Sequence, residues 1–245
     1  MNCNIMAHMV AFYPDGPSSI SFARALVDGG AGYLEVQFPF SDPQADGTFI
    51  QRACTRALEK GFRVSEGFKL LSRIRSFCRV PIFLMAYANT LFVCHIEKFL
   101  MDCITAGIQG VIVPDLTPGC DEGIFATGKA LGIQVVPVVA PTISRKRLHM
   151  IFSMNPEYMY ASLRKGITGS YTNIGEQNIN FLKKLSESGA KILAGFGISE
   201  RKQVELLSPY IDAAVVGSAF IKEVIGREDQ DPYTPVLKKI QHLHI

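Results

Sequence analysis

Short apolar segments rich in β-branched residues alternate with longer amphipathic segments along the chain. The short segments predict eight buried strands, over 4–12, 33–38, 81–87, 110–116, 133–140, 158–162, 191–196 and 212–218. The segments between them have the helical period, as in "SEGFKLLSRIRSF" and "HIEKFLMDCITAG". Eight strands each followed by a helix are typical of a (β/α)8 TIM barrel, an α/β fold, here a single domain over 1–245. A doubly wound open sheet is the alternative, which the near-equal units and the missing GxGxxG turn disfavour.

The second predicted strand, "YLEVQF", carries an acid inside an apolar segment. Side chains alternate along a strand, so Tyr33, Glu35 and Gln37 share one face and the apolar residues between them share the other. Because active sites of such barrels lie at the C-terminal ends of the strands, Glu35 is predicted to point into the barrel just below its mouth. The alternative is a buried glutamate paired with a core lysine or arginine.

Two more acids follow in "PFSDPQADG". Asp42 precedes a proline, as a turn-forming aspartate does, and Asp46 precedes the predicted helix "TFIQRACTRALEKG", where an N-cap is the competing role. Of the two, we predict that Asp42 is structural and that Asp46 reaches the pocket.

Glycine-rich turns follow the last three predicted strands: "GITG" (166–169), "GFGIS" (195–199) and "VVGSAF" (215–220), the last leading into a helix at Ser218. Glycine lets backbone N–H groups approach phosphate oxygens, and a helix N-terminus adds partial positive charge. Three such turns on consecutive strands predict a phosphate-bearing ligand.

Aromatic residues stand near other strand ends. Tyr87, Tyr160 and Phe196, with Asp115, lie between the acids and the glycine turns in the predicted barrel. They could line an aromatic slot, and core or rim packing is the alternative.

Composition narrows the class of protein. The net charge of +3 is spread along the chain without a basic block, so no nucleic-acid partner is indicated. The six cysteines form no CxxC pair and the five histidines do not cluster with them, which argues against a metal site. No apolar stretch reaches membrane-spanning length, and we expect a cytoplasmic protein without a membrane partner.

The motif "LEVQFPFSDPQADG" resembles the L-E-L-G-I-P-F-S-D-P-x-A-D-G-P signature of the tryptophan synthase α subunit. "FLMAYAN", "GVIVPDL", "GITG", "GFGIS" and "VVGSAF" match that family in order and spacing. The resemblance implies a (β/α)8 barrel that cleaves indole-3-glycerol phosphate into indole and glyceraldehyde 3-phosphate. It also implies an α2β2 complex with a β subunit that receives the indole. This chain is then expected to hold no cofactor, pyridoxal phosphate being held by the β subunit.

The same resemblance assigns roles to residues. The family's catalytic acids fall on Glu35 and Asp46. Its substrate-binding positions fall on Tyr160, Thr168, Gly169, Phe196, Gly197, Gly217 and Ser218, and Tyr87 is added from its place at a strand end. A carboxyl in a dry pocket has a raised pKa and can move protons near neutral pH, which is the role expected of Glu35. Asp46 would stabilise positive charge at the indole nitrogen.

The chain departs from the family pattern at several positions. Gln37 replaces a glycine on the face of Glu35, where its amide would either hydrogen-bond Glu35 or crowd the indole ring. Thr48 replaces a proline, Leu163 a serine, and Phe12 a common glycine. The chain also starts about a dozen residues late, so the family's N-terminal covering helix is expected to be shortened or missing.

These departures motivate other functions. One is a catalytically weak α subunit kept as an allosteric activator of the β subunit, and another is a stand-alone lyase that releases free indole. A different phosphate-binding barrel enzyme, such as a sugar-phosphate isomerase, is disfavoured by the acid-bearing motif.

Overall fold

A computed structural model describes residues 3–163 and 174–245. Its strands are all parallel and are β1 (Asn4–Val10), β2 (Tyr33–Gln37), β3 (Ile82–Met85), β4 (Gly110–Ile112), β5 (Gln134–Val136), β6 (Val138–Val139), β7 (Tyr158–Ser162), β8 (Lys191–Gly195) and β9 (Ala213–Val216). They hydrogen-bond in the order β5-β4-β3-β2-β1-β9-β8-β7-β6.

The two ends of this order are two halves of one interrupted strand. Pro137, which has no N–H to donate, separates β5 from β6. β5 pairs with β4, whereas β6 pairs with β7, and the N–H of Tyr160 donates to the carbonyl oxygen of Pro137 at 3.0 Å. The strands therefore close round into the predicted (β/α)8 barrel, and this fold prediction is confirmed.

Helices follow the strands around the barrel. They are α1 (Gly16–Asp28), α2 (Thr48–Glu59), α3 (Val64–Phe77), α4 (Ala88–Cys94), α5 (Ile96–Thr105), α6 (Ile124–Leu131), α7 (Arg145–Ser153), α8 (Glu176–Ser186), α9 (Arg201–Leu207), α10 (Ser218–Lys222) and α11 (Tyr233–Leu243). Within the described part of the chain β1 is the first element, with no helix before it. None of the helices described is both long and apolar enough to cross a membrane.

Apolar side chains fill two separate layers. Inward-facing residues such as Met6, Phe83 and Leu193 fill the barrel, and the alternate residues pack under the helices. Phe38, for example, lies 5.3 Å from the rings of both Phe62 and Phe68, measured between centroids. The alternation in β2 thus sends its apolar residues outward and leaves the polar ones inside.

Phe12 lies directly after β1 in the left-handed region of backbone conformation, with φ of 64°. Only glycine adopts this region without steric cost, which explains why glycine is common here in the family that the chain resembles. The ring of Phe12 packs edge-on against Phe62 at 5.5 Å, and this contact offsets part of the strain.

Candidate active site

Glu35 points into the barrel and is 2% exposed. The parallel register of β1 and β2 places His8 beside it, and His8 is 5% exposed. The imidazole Nδ1 of His8 lies 3.1 Å from Oε2 of Glu35. At this distance the carboxylate attracts the imidazole ring when the ring is protonated. The sequence left open that a buried basic residue pairs with Glu35. Among the described residues that partner is an imidazole, a group that titrates near neutrality, rather than a lysine or arginine.

Several opposing effects act on the charge of His8. Burial disfavours the imidazolium, whereas the carboxylates of Glu35 and Asp46 and the side chain of Gln37 favour it. The net result is a pKa of His8 raised above its ordinary value. The free site therefore favours an imidazolium beside two buried acids.

Asp46 enters the same interior from the loop before α2 and is 3% exposed. Its Oδ2 accepts hydrogen bonds from Nε2 of Gln37 at 2.8 Å and from the hydroxyl of Tyr87 at 2.9 Å. The competing N-cap role is not observed, because the N-cap of α2 is Gly47. Burial raises the pKa of Asp46, while His8 and the two donors act in the opposite direction.

Gln37 neither hydrogen-bonds Glu35 nor enters the space for the indole ring, the two outcomes expected from the sequence. Its amide points to Asp46 and to Sγ of Cys54 on α2, at 3.5 Å, rather than to Glu35 or into the cavity. Tyr87 supports the same loop from β3's end, since its hydroxyl also accepts the N–H of Ala45 at 3.0 Å. Gln37 and Tyr87 thus fix the position of Asp46 from below.

The other two aspartates, Asp42 and Asp115, each accept a hydrogen bond within the protein. Asp42 is exposed and accepts a hydrogen bond from the hydroxyl of the adjacent Ser41 at 2.7 Å. Asp115 accepts the N–H of Ala88 at 3.0 Å, which satisfies a free donor in the first turn of α4.

One cavity at the C-terminal ends of the strands joins the acids to the late glycines. It measures ≈ 540 Å³ with the open solvent at its mouth included, a size usual for a small-molecule site. The lining includes Glu35, Asp46, His8, Tyr160, Phe196, Gly197, Gly217 and Ser218. Of the predicted substrate-binding residues, Tyr87 contacts Asp46 but does not line the cavity, and Thr168 and Gly169 lie outside the described residues.

The glycine turns shape this cavity closely. Phe196 and Gly197 both have left-handed backbones, with φ of 79° and 86°. A methyl group on Gly195 would come within 2.6 Å of the Tyr160 hydroxyl, and one on Gly217 within 2.8 Å of Cδ2 of His8. Glycine at positions 195 and 217 therefore leaves room for the Tyr160 and His8 side chains.

His8 is the residue that sequence reasoning missed. A usable signal was present: a polar residue inside the apolar strand "IMAHMV", followed by another inside the next strand. Within residues 3–163 and 174–245 no group of three or more histidine, cysteine or acidic side chains is arranged to hold a metal ion.

The closed barrel and its mouth, with two acids, an imidazole and facing glycines, define a (β/α)8-barrel enzyme built for acid–base chemistry. Residues 2–243 match the family model described as tryptophan synthase alpha chain. The chain belongs to the tryptophan synthase alpha chain family. Cleavage of indole-3-glycerol phosphate is the activity of this family, and the chain is a carbon–carbon lyase. Alpha chains of the family carry no cofactor, pyridoxal phosphate belonging to the beta subunit.

Individual relatives match this chain over most of its length and most of their own. The tryptophan synthase alpha chain of Helicobacter hepaticus is 35% identical over 238 residues, which cover 94% of this chain and 89% of the relative. The tryptophan synthase alpha chain of Bacillus cereus is 38% identical over 210 residues, which cover 85% of this chain and 81% of the relative. A tryptophan synthase structure from Pyrococcus furiosus superposes with a TM-score of 0.88 at 30% identity and covers 99% of both chains.

Proposed function

We propose that Glu35 and Asp46 are the catalytic acids with which this chain cleaves indole-3-glycerol phosphate. The observation that carries this proposal is their burial in one cavity with Gly197, Gly217 and Ser218. Glu35 supplies the proton that C3 of the indole ring gains as the carbon–carbon bond breaks. Ligand binding dries the pocket, which favours the neutral carboxylic acid needed for this donation.

Asp46 has a different task in this proposal. Protonation of C3 leaves positive charge at the ring nitrogen, and a carboxylate held near it stabilises that charge as it develops. Fixed donors suit this role, because Gln37 and Tyr87 hold Asp46 in place without reorganisation during the reaction. Tyr160 and Phe196, whose rings meet edge-on at 6.1 Å, would flank the indole.

The phosphate of the substrate is assigned to the opposite side of the cavity. Backbone N–H groups after β8 and β9, around Gly197, Gly217 and Ser218, can approach phosphate oxygens closely because no side chain intervenes at the glycines. Thr168 and Gly169 are proposed to complete this site. Anchoring the phosphate orients the reacting carbons over Glu35.

The proposal includes assembly with a beta subunit as an α2β2 complex. The matched Pyrococcus furiosus chain is part of a tryptophan synthase α2β2 complex, and the match extends over 99% of both chains. A cytoplasmic location is proposed as well, in keeping with six cysteines that are all free thiols.

Glu35→Gln tests the proposal directly. We expect it to abolish indole release from indole-3-glycerol phosphate, measured with and without a beta subunit, while calorimetry shows nearly unchanged affinity for the substrate. The matched control is Glu59→Gln, which makes the same change on the exposed far end of α2 and should leave the rate unchanged.

Near-normal turnover by Glu35→Gln would show that the proton donor lies elsewhere. If the wild-type chain released no indole in either assay but still stimulated the beta subunit, the chain would be an allosteric activator instead of a lyase.

A further inference from the structure

His8 occupies the strand between the catalytic acid and the phosphate side of the cavity. It lies on β1, which pairs with β2 on one side and β9 on the other. Its Nδ1 faces Glu35 on β2, and its Cδ2 packs against Gly217 at the end of β9. The imidazole therefore bridges the two parts of the site that the proposed function uses.

The Nε2 atom of His8 is buried and has no hydrogen-bond partner among the described residues. Leaving a buried polar group unpaired is costly, and side chains that do so at a ligand site commonly find their partner in the ligand. Because His8 lines the cavity, a bound substrate is the natural partner of Nε2.

The strand order arranges the site as a row. Tyr87 follows β3 and holds Asp46, Glu35 is on β2, His8 is on β1, and Gly217 and Ser218 follow β9. In the proposed function the indole lies at the Asp46 end and the phosphate at the Gly217 end. His8 lines the cavity between these two ends, so it is placed to meet the hydroxyl-bearing carbon chain that joins them.

We propose that His8 is a second acid–base residue of this lyase, which accepts the hydroxyl proton while Glu35 protonates the ring. This inference rests on the proposed function and deepens it. The hydroxyl on the carbon attached to the ring loses its proton to Nε2, and its oxygen forms the aldehyde carbonyl. The carbon–carbon bond breaks, its electrons restore the indole ring, and C3 keeps the proton given by Glu35.

The pair is suited to this exchange because the proton that imidazolium loses from Nε2 can pass through water to the neighbouring carboxylate before the ligand closes the site. In the free site the imidazolium form of His8 is favoured, as its raised pKa indicates. Bound ligand removes water, which makes separated charges costly and favours neutral imidazole beside neutral carboxylic acid. In that form the remaining ring proton is on Nδ1, which faces Glu35, so Nε2 is free to accept the hydroxyl proton while Glu35 donates to the ring. The reaction then returns the pair to its charged form.

Few other groups around the cavity could accept the hydroxyl proton. Glu35, Asp46 and Tyr160 are the titratable side chains that line the cavity with His8 among the described residues. Burial and the two acids raise the pKa of Tyr160 far above its ordinary value, so it stays protonated. Asp46 already accepts two hydrogen bonds on one oxygen.

The test compares His8→Gln and His8→Ala with wild type, each assayed for indole release with and without a beta subunit. We expect kcat to fall about 100-fold, a usual loss for one acid–base group, with KM changed little. The pH–rate profile should lose the limb that belongs to the base. Imidazole added to His8→Ala should restore part of the rate, whereas pyrazole, a ring of the same shape but far weaker basicity, should not.

Equal rescue of His8→Ala by imidazole and by pyrazole would show that His8 only fills space. A wild-type kcat in both His8→Gln and His8→Ala would by itself overturn the inference. A wild-type chain that releases no indole would instead overturn the proposed function and this inference with it. Independently of turnover, nitrogen-15 NMR should show His8 titrating at lower pH in Glu35→Gln than in wild type. An unchanged titration would contradict the pairing.

Discussion

The amide of Gln37 donates a hydrogen bond of 2.8 Å to Asp46, which joins the last residue of β2 to the loop before α2. Both side chains are buried. A buried carboxylate that accepts a fixed donor is held in one orientation, and Asp46 is the one residue of this loop that lines the cavity among the described residues. The glutamine that departs from the family pattern is therefore a support for the site.

Replacement of Gln37 should slow the reaction. Gln37→Gly removes the donor and leaves a void, and Gln37→Met removes the donor at similar volume. Because Asp46 loses a fixed partner in both, we expect kcat for indole release to fall about 10-fold in each, the Met variant being the control for packing. A faster Gly variant would mean that the glutamine obstructs the substrate instead.

Asp46→Asn should stabilise the fold while it damages catalysis. Burial raises the pKa of Asp46 above its unfolded value, so the folded state binds its proton more tightly, and stability falls as pH rises past about 4. Both donors bond the same oxygen, which asparagine retains. We expect the free energy of unfolding at pH 7 to rise by about 0.5–2 kcal/mol, measured in urea.

The gain from Asp46→Asn should shrink as the pH is lowered toward 4, since wild-type Asp46 then becomes neutral too. Asp42→Asn is the matched control: its carboxylate is exposed, and the stability should change little. A less stable Asp46→Asn protein at pH 7 would contradict the assigned pKa direction.

Tyr87→Phe should loosen the loop that carries Asp46. The variant loses the hydroxyl that donates to Asp46 and accepts from Ala45, so a buried carboxylate and a partly buried N–H lose a partner. Such losses cost about 1–3 kcal/mol, to be read from thermal or urea unfolding. Tyr233→Phe breaks the same kind of bond, to Asp28, on the surface, and should be close to neutral. Similar losses in both variants would refute the special role of Tyr87.

Gly195→Ala should displace the Tyr160 ring. The new methyl group would meet the Tyr160 hydroxyl at 2.6 Å and Cβ of Val215 at 3.1 Å, so the ring must move within the cavity. We expect a lower melting temperature, a cost of about 1–3 kcal/mol and a raised KM. Gly175→Ala, whose methyl group meets none of the described residues within 4 Å, is the control. Unchanged kinetics in Gly195→Ala would argue against Tyr160 as a binding residue.

Local sequence patterns were sufficient to predict most strands and helices of the barrel. Each of the eight predicted strand segments contains a strand, because alternation and β-branched runs record burial on both sides of the sheet. The short helix α4, which precedes the predicted α5, was not predicted. The break at Pro137 was likewise not predicted, although proline removes a donor from the ladder.

For the site too, some features follow from the sequence and others only from the tertiary structure. Which residues face inward, and that acids and glycines gather at strand ends, were determined by the sequence alone, since side-chain alternation and the direction of parallel strands follow from covalent geometry. The partners of those residues were decided only by tertiary structure. The register of β1 against β2 brings His8 to Glu35, and the course of the loop before α2 brings Asp46 to Gln37. Contacts between residues far apart in sequence depend on how separate segments pack together, and no local pattern encodes them.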